Sequence, residues 1–432
     1  MTDLWAAALG VLDANWTPTG TLPAPRQYPH QWSWDSAFIS IGLARVHPDR
    51  ARAELSSLFD AQWASGLVPH IVYNAASGDD SYFPGARFWN SHARRGSPAA
   101  ATSTIAQPPV HARAVLANHR ADPDSEAGRA FTRAMYPRLV RWHDYLRGRD
   151  VDGSGLAVTI HPWESGLDNS PMWDGALVAA RSLPSSATKS VRRDTIHVAT
   201  EERPTDRDYQ DYISLADHAR TRSSDRLLIG APFLVQDPLL NAVYLDGELC
   251  LAQLADELGV PSQRHREAAR RIHDGLIGQL WDADRQIFVS RDARTGTRST
   301  VATIGSLIPL LDPWLGNIGE HVLALAESDD FAGGCEFPLP STALRAPQFN
   351  RRRYWRGPTW LNTNWLVWLG ASAAGHDQLA QRIATSSLRL VRAQGFREYY
   401  DPIDGAGMGA HQFSWSAALV LDWIAGARTP VA

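Results

Sequence analysis

Apolar residues recur at helical spacing along most of this chain, and the strict alternation that marks half-buried strands is scarce. This periodicity predicts an all-α fold, an array of helical hairpins packed on one another. The segments between the helices are rich in Gly, Pro, Trp and Asp. Because rigid helices position their connecting loops, we expect the function to reside in those loops.

One hairpin can be read directly from its ends. In the segment 237–259, Asp237 can cap a helix, Pro238 takes the first helical position and Gly259 ends it. After a Gly-Val-Pro turn, Ser262 is a second cap, and an apolar stripe runs to Leu280. Further helices are predicted over 53–64, 130–147, 362–374 and 378–394.

No shift in composition marks a domain boundary, so we expect a single catalytic domain over residues 1–432. The longest interruption of the helical pattern is the segment 181–212, where Ser, Arg, Thr and Asp dominate. It is predicted to be an insertion, either a linker or an ordered lid over a site.

Composition points to a small-molecule ligand. A net charge of −4 predicts neither a nucleic-acid surface nor a basic membrane patch. The first residues lack the pattern of a signal peptide and no apolar stretch is long enough to span a membrane, so we expect a cytoplasmic protein. Cys250 and Cys335 are expected to be buried thiols. Homo-oligomerisation is left open.

Seventeen tryptophans are the unusual component. Their flat faces suit the C–H faces of sugar rings, and they also fill helical cores. Four loop segments are rich in aromatic and charged residues, and three of them contain the acids that glycoside hydrolysis needs. The segments are QWSWDSAF with Trp32, Trp34 and Asp35; HPWESGLDNSPMWD with Trp163, Glu164, Asp168 and Asp174; YWRGPTW with Tyr354, Trp355 and Trp360; and FREYYDP with Glu398 and Asp401.

Each of these residues alone has a structural interpretation. Asp35 or Asp174 would serve equally as a helix cap, and Glu398 as an exposed salt-bridge partner. His70 and His161 could each be a sugar ligand or a hydrogen-bonded structural residue. Four such clusters in one chain favour a functional interpretation. No phosphate-binding loop, cysteine metal motif, H-E-x-x-H pattern or G-x-S-x-G elbow occurs, and we expect no cofactor and no metal.

At these motifs the chain resembles glycoside hydrolase family 63, in particular its bacterial mannosylglycerate and glucosylglycerate hydrolases. WESGLDNSP, YWRGPTWLNTNW, and EYYDP followed by a Gly-rich turn and FSWSAA carry the resemblance, which runs from about Tyr28 to Trp423. It implies an (α/α)6 barrel, a toroid of six helical hairpins with long active-site loops, and an inverting mechanism.

The resemblance also implies roles for individual residues. Asp168 matches the general acid and Glu398 the general base, whereas Glu164 looks like a support for its loop. Similar positions for the sugar ring are Tyr28, Trp32, Trp34, Asp35, Gln107, Trp163, Gly166, Tyr354, Trp355, Trp360 and Gln412, with His70 and Tyr82 from neighbouring loops. Met172 departs from the polar or basic residue that relatives often carry.

Within the insertion, EERPTDRDYQDY resembles a segment that closes over the substrate, and Arg203 and Tyr209 fall where a glycerate carboxylate would be held. An Arg matches a carboxylate in bidentate geometry. The alternative is a surface Arg203 paired with Glu201 or Asp206.

The resemblance predicts hydrolysis of 2-O-α-glucosylglycerate or 2-O-α-mannosylglycerate. An α-glucosidase for a neutral disaccharide such as trehalose or kojibiose would be favoured if Arg203 faced solvent. A noncatalytic sugar-binding protein would require Asp168 or Glu398 to lie outside the pocket.

Overall fold

The computed structural model describes residues 2–179, 181, 192–222 and 226–426. Its α-helices are α1 (Thr2–Ala14), α2 (Ser33–Leu43), α3 (Pro48–Asp60), α4 (Ala86–Trp89), α5 (His111–Ala121), α6 (Glu126–Arg147), α7 (Asp206–Arg220), α8 (Pro238–Glu257), α9 (Gln263–Gly275), α10 (Asn317–Glu327), α11 (Leu361–Ala373), α12 (Asp377–Gln394) and α13 (Ser414–Gly426). Its strands are β1 (Trp16–Thr17), β2 (Gly20–Thr21), β3 (Gln31–Trp32), β4 (Ile71–Val72), β5 (Val158–Thr159), β6 (Val235–Gln236), β7 (Trp281–Asp282), β8 (Ile287–Phe288), β9 (Arg291–Asp292), β10 (Arg397–Tyr400) and β11 (Gly407–His411).

The helices pack as two concentric rings. The inner ring runs through α2, α5, α8, a short 3₁₀ helix at Ile308–Leu311, α11 and α13, and α13 closes it by packing on α2. Each inner element has an outer partner: α3, α6, α9, α10, α12 and α1, in that order. The predicted all-α toroid of six helical pairs is therefore confirmed.

Burial follows from the position in the rings. Every residue of α2 is buried, and so are the residues of α13 up to Ile424, because neighbours surround an inner helix on all sides. The outer helix α12 buries one stripe, which includes Leu379, Ile383 and Leu390, and exposes the remainder. The inner helices α2 and α13 are thus nearly continuous buried runs, and the outer helix α12 is amphipathic.

The predicted hairpin is present with altered ends. Asp237 caps α8 by accepting hydrogen bonds from the amides of Leu239 (3.0 Å) and Leu240 (3.2 Å). The next helix differs from the prediction, because Ser262 makes no side-chain cap and α9 gives way at Gly275 to a π-helical turn.

The insertion is more regular than the sequence indicated. Residues 182–191 lie outside the described residues, but helix α7 begins inside the segment, which corrects the expectation that helical structure is absent over 181–212. A capping box starts this helix: the Asp208 amide donates to the Thr205 hydroxyl, and the Asp208 carboxylate accepts from the Thr205 amide at 2.9 Å. Tyr212 and Ile213 anchor it in the core.

Hairpin β10–β11 carries one of the predicted catalytic acids. The two strands pair antiparallel, with Tyr399 opposite Met408 and Tyr400 opposite Gly407. Elsewhere, Cys250 and Cys335 are buried free thiols, as predicted. Among the described residues, no helix combines the length and the apolar character of a membrane span.

Candidate active site

A pocket opens at the end of the toroid where the inner helices α2, α11 and α13 begin. The empty space in the pocket and its open mouth together is about 490 Å³. The first turns of those helices, loop 161–170 and hairpin β10–β11 form its walls. Helix N-termini carry positive partial charge, which partly offsets the cost of burying negative charge at this end of the toroid.

Three carboxyl groups line the pocket: Asp35, Asp168 and Glu398. Asp35 and Glu398 are buried, with 3% and 1% of their surfaces exposed, and Asp168 is half-buried. Burial raises the pKa of both aspartates, and the nearby charge of Glu398 adds to this effect.

Glu398 is held by several donors. The hydroxyl of Tyr28 donates to Oε1 at 2.7 Å, and that of Tyr354 lies 3.4 Å from the same oxygen. The backbone amide of Ala410, on the facing strand, donates to Oε2 at 2.9 Å. These donors fix the carboxylate in one orientation.

Arg203 completes the shell around Glu398. Its Nη1 donates to Oε1 at 3.3 Å and its Nη2 to Oε2 at 2.9 Å, a bidentate ion pair. The guanidinium is 2% exposed and lies over the rings of Tyr28 and Tyr354, 5.7 and 4.8 Å from their centroids. Burial alone would lower the Arg203 pKa, but the charge of Glu398 holds it well above its ordinary value.

This placement excludes the surface alternative for Arg203. The side chain is neither a surface group paired with Glu201 or Asp206 nor a residue of the pocket lining. It lies behind Glu398, at a sequence separation of 195 residues.

Asp168 has a contrasting environment. Burial is the largest cause that raises its pKa well above 3.8, and the charge of Glu398 adds to it, while Arg203 acts in the opposite direction. The pocket therefore favours the protonated form of Asp168 and supplies Glu398 with a cation. One acid and one ionised carboxylate in a pocket are the two groups that glycoside hydrolysis requires.

Glu164, the alternative candidate for the acid in the same loop, has a structural role. It is fully buried, and its Oε2 accepts from Arg149 at 2.6 Å and from the Ile160 amide at 2.8 Å. Its Oε1 accepts from the Ala106 amide at 2.9 Å. With both oxygens occupied, Glu164 holds the loop against the core, as the sequence analysis expected.

Aromatic rings form the remaining walls. Trp355 and Trp360 stack with their centroids 3.8 Å apart, and His70 stacks on Trp163 at 6.0 Å. Burial lowers the His70 pKa to about 3, so this imidazole is neutral at ordinary pH. The walls thus offer flat apolar faces between hydrogen-bonding groups.

A tight turn in the pocket wall requires a glycine at position 166. Gly166 has φ +75°, and a Cβ there would lie 2.4 Å from the Trp34 ring. No other residue fits, because the indole occupies the space where a side chain would start.

Most of the residues predicted to bind the sugar line this pocket. They are Tyr28, Trp32, Trp34, Asp35, His70, Tyr82, Gln107, Trp163, Gly166, Tyr354, Trp355 and Trp360, together with Asp168 and Glu398. Residues far apart in the sequence, from Tyr28 to Glu398, thus line one pocket. Their spacing in the sequence alone did not show that they would meet.

Two further predicted ligands lie elsewhere, like Arg203. Tyr209 is buried behind the pocket wall, where its hydroxyl donates to the Phe83 carbonyl at 2.9 Å. Gln412 has φ 50° at the end of β11, and its side chain is exposed. The chain reversal turns the Gln412 side chain outward and brings its neighbour Phe413 to the pocket instead.

Three lining residues were not predicted: Pro23, Phe413 and Trp415. Phe413 and Trp415 pack with their centroids 4.6 Å apart, and both belong to the motif FSWSAA that carried the resemblance. Pro23 lies in no such motif, and its place depends on contacts between the ends of the chain.

Comparison with known proteins identifies the family. Residues 28–416 match the model of the mannosylglycerate hydrolase MGH1-like glycoside hydrolase domain. The chain belongs to this family. It is therefore a glycoside hydrolase.

The similarity extends over nearly the full chain. A mannosylglycerate hydrolase of Rubrobacter radiotolerans is 41% identical over 97% of this chain and 96% of its own length. A glucosylglycerate hydrolase of Mycolicibacterium hassiacum is 34% identical over 98% of each protein. The crystal structure of a family 63 mannosylglycerate hydrolase from Thermus thermophilus, in complex with Tris and D-glycerate, matches with a TM-score of 0.90 at 38% identity, covering 98% of this chain and 100% of that one.

Proposed function

We propose that this enzyme hydrolyses the α-glycosidic bond of 2-O-α-glucosylglycerate or 2-O-α-mannosylglycerate with inversion at the anomeric carbon. The observation that carries the proposal is the contrast between Asp168, whose pKa is raised, and Glu398, which is paired with a buried Arg203. These environments suit a general acid and a general base, respectively.

In the proposed reaction, Asp168 gives its proton to the glycosidic oxygen as the bond from that oxygen to the anomeric carbon breaks. Glu398 takes a proton from a water molecule, whose oxygen bonds to the anomeric carbon from the opposite face. The products are glycerate and a free sugar of inverted configuration. An inverting pair stands about 6.5–9.5 Å apart, which leaves room for the water.

The rest of the pocket would hold the sugar. Asp35 is buried in the first turn of α2, where its carboxyl group can accept hydrogen bonds from sugar hydroxyls. A buried acceptor left without a donor costs about 1–3 kcal/mol, so this contact discriminates between sugars. The Trp355–Trp360 stack and the His70–Trp163 pair would pack against apolar ring faces.

The glycerate part of the proposal has two supports. Two of the relatives described above are named for mannosylglycerate and glucosylglycerate, and the T. thermophilus structure contains D-glycerate. Arg203 is buried next to the pocket, whereas the neutral-disaccharide alternative would have been favoured by a solvent-facing Arg203. A buried guanidinium is the group that best matches a carboxylate.

The proposal is tested by incubating the purified enzyme separately with glucosylglycerate, mannosylglycerate, trehalose and kojibiose. We expect free sugar and glycerate, in equal amounts, from at least one of the two glycerate glycosides. Hydrolysis of the neutral disaccharides alone would refute the glycerate assignment while leaving the enzyme class intact.

A further inference from the structure

His161 begins loop 161–170, which carries Asp168, yet its own side chain is not part of the pocket lining. The side chain is fully buried. It contacts Trp163, whose ring centroid is 4.3 Å away and which does line the pocket. His161 can therefore affect a bound sugar only through a neighbour such as Trp163.

Both ring nitrogens of His161 are bonded to the backbone. Nδ1 accepts from the amide of Trp163 at 3.0 Å, and Nε2 donates to the carbonyl of Tyr212 at 2.9 Å. Because an amide only donates and a carbonyl only accepts, these contacts select the neutral tautomer with its proton on Nε2. Burial lowers the His161 pKa to about 4, so the ring keeps this form at ordinary pH. The imidazole is a fixed bridge between two backbone segments.

The bridge joins parts of the fold that are 51 residues apart in the sequence. One end is loop 161–170, and the other is helix α7, in which Tyr212 is buried. Glu164 anchors the same loop differently, to Arg149 and to two backbone amides. The loop thus has two separate attachments, and the attachment through His161 leads to α7.

The position of Trp163 depends on both residues of the bridge. Its ring centroid lies 4.3 Å from that of His161 and 5.9 Å from that of Tyr212, and the His70 ring lies at 6.0 Å. The hydrogen bond from the Trp163 amide to His161 fixes the backbone at the same point. Because packed interiors leave little free space, a shift of His161 relative to Tyr212 would change the indole face that the pocket presents.

We propose that His161 is a positioning residue for sugar binding, which holds the Trp163 indole in place by bridging it to the Tyr212 carbonyl. The inference rests on one part of the proposed function, namely that this pocket holds the sugar. Helix α7 thereby supports the pocket wall, although none of its residues lines the pocket. Loss of the bridge weakens the contact with the sugar in the ground state and the transition state alike, so it raises KM and leaves kcat nearly unchanged.

Two conservative variants separate the two contacts of His161. In His161→Asn, the amide oxygen can replace Nδ1 and accept from the Trp163 amide, since Asn is a good cap, but the side chain is too short to reach the Tyr212 carbonyl. In His161→Gln, the longer side chain can place an N–H near the position of Nε2 and donate to that carbonyl. If His161 were only a local cap, Asn would restore its role, whereas a bridge is restored by Gln.

The measurement reports on the sugar without the aglycone. The substrates are α-D-glucosyl fluoride and α-D-mannosyl fluoride, whose fluoride release gives KM and kcat, and calorimetric titration with glucose and mannose gives the affinity for the free sugar. Because an aromatic contact contributes up to about tenfold in affinity, we expect His161→Asn to raise KM and to weaken sugar binding by about tenfold, with kcat within about twofold of the wild type. His161→Gln should stay within about threefold in all three quantities.

A double variant tests whether His161 acts through Trp163. Trp163→Leu alone should weaken sugar binding, and adding His161→Asn to it should weaken binding no further, because residues that act through one contact are not additive. Independent, multiplying effects of the two substitutions would contradict the bridge.

The matched control is His265→Asn. His265 is also a buried histidine with both ring nitrogens bonded, to Glu248 and Tyr136, but it does not line the pocket or contact a residue that does. This variant should lose stability and keep the wild-type KM and sugar affinity. All variants are compared well below their unfolding temperatures, so that a general loss of stability does not alter the result.

The outcomes distinguish this inference from the proposed function. Wild-type KM and sugar affinity in His161→Asn would refute the bridge, and so would equal impairment of His161→Asn and His161→Gln. If His161→Asn does not fold, His161→Gln decides, because a tenfold rise in its KM would refute the bridge. The fluorides and free sugars contain no glycerate, so failure to hydrolyse either glycerate glycoside would refute the proposed substrate and leave this test intact.

Discussion

Glu164 and Asp168 lie four residues apart in one loop, yet only Asp168 lines the pocket, while Glu164 is bound by the Arg149 guanidinium and two backbone amides. Those three donors occupy both carboxylate oxygens of Glu164. Among the described residues, Asp168 has no such set of donors, and burial, together with the charge of Glu398, raises its pKa. The loop therefore separates an anchoring carboxylate from one that can hold a proton, although both residues are acids next to aromatic side chains in the sequence.

Asp168→Asn and Glu398→Gln should each lower kcat on the glycerate glycoside by about 10²–10⁴-fold or more, because each removes a proton-transfer group. The control is Asp174→Asn, which changes a carboxylate that pairs with Arg356 outside the pocket and should keep kcat near the wild-type value.

Glycosyl fluorides distinguish the acid from the base among these variants. Since fluoride needs little protonation, Asp168→Asn should regain much of its rate on the fluoride, and Glu398→Gln should not. The opposite pattern would exchange the two roles.

Asp168→Asn should also stabilise the protein at neutral pH. Because the folded-state pKa of Asp168 lies above 3.8, the stability that protonated Asp168 contributes is fully present below pH 3.8 and is lost as pH rises through the raised pKa. Asn stays neutral throughout, so its free energy of unfolding should exceed that of the wild type by about 1 kcal/mol at pH 7. Urea titrations at pH 7 and below pH 4 check this, and an advantage that persists at the lower pH would contradict the assigned cause.

A second buried cluster, away from the pocket, should govern stability in acid. Glu248 accepts from His143 Nδ1 at 3.2 Å and His265 Nδ1 at 2.6 Å. Burial alone would raise the Glu248 pKa, but the charge of His143 and the hydrogen bonds of both histidines lower it from 4.5 to about 2. The stability that Glu248 contributes to the fold is therefore present above pH 4.5 and is lost as pH falls towards 2.

Glu248→Gln should accordingly lower the free energy of unfolding by about 3 kcal/mol at pH 7, and by progressively less as pH falls from 4.5 to 2. Its kcat should stay near that of the wild type. The control is Glu257→Gln, since Glu257 is 59% exposed and lies 3.6 Å from His119, and its loss should cost less than about 0.5 kcal/mol. Equal effects of the two substitutions would contradict the importance of the buried cluster.

Gly409→Ala should abolish activity with only a moderate loss of stability. Gly409 has φ +67°, and a Cβ there would lie 2.5 Å from the Tyr399 ring and 2.6 Å from Oε2 of Glu398. The methyl group would displace the carboxylate from its donors. Gly395→Ala is the matched control, because that glycine has φ +75° with no atom within 4 Å of its would-be Cβ, so it shares the backbone strain without the collision. Circular dichroism and kcat, measured for both variants, separate strain from displacement.

The sequence predicted the helical parts of this fold well where both ends carry a signal. Helix α8 was located by Asp237 and Pro238, but α3 was predicted to begin at residue 53 and begins at Pro48. Helix α7 was missed because charged residues obscure its apolar face, and its start depends on the Thr205–Asp208 box. Capping residues and apolar spacing in the local sequence thus predict most of the helices. The remaining helices depend on which of their residues the tertiary fold buries.

The predicted site residues line the pocket where a motif fixed the backbone, and lie outside its lining where long-range pairing decided the geometry. Loop 161–170 and the first turn of α2 point their residues into the pocket as the motifs implied. The partner of Arg203 could not be predicted, because its contact with Glu398 spans 195 residues. Gln412 lies outside the pocket lining, because its own positive φ accompanies an exposed side chain.

The central claim is that Asp168 and Glu398 act as an inverting pair on a glycerate glycoside. The most direct measurement follows the anomeric protons of the released sugar by NMR from the first seconds of the reaction with glucosylglycerate and with mannosylglycerate. We predict that the β-anomer appears first and that the α-anomer grows only by mutarotation. Initial release of the α-anomer would contradict the inverting mechanism and the roles assigned to both residues.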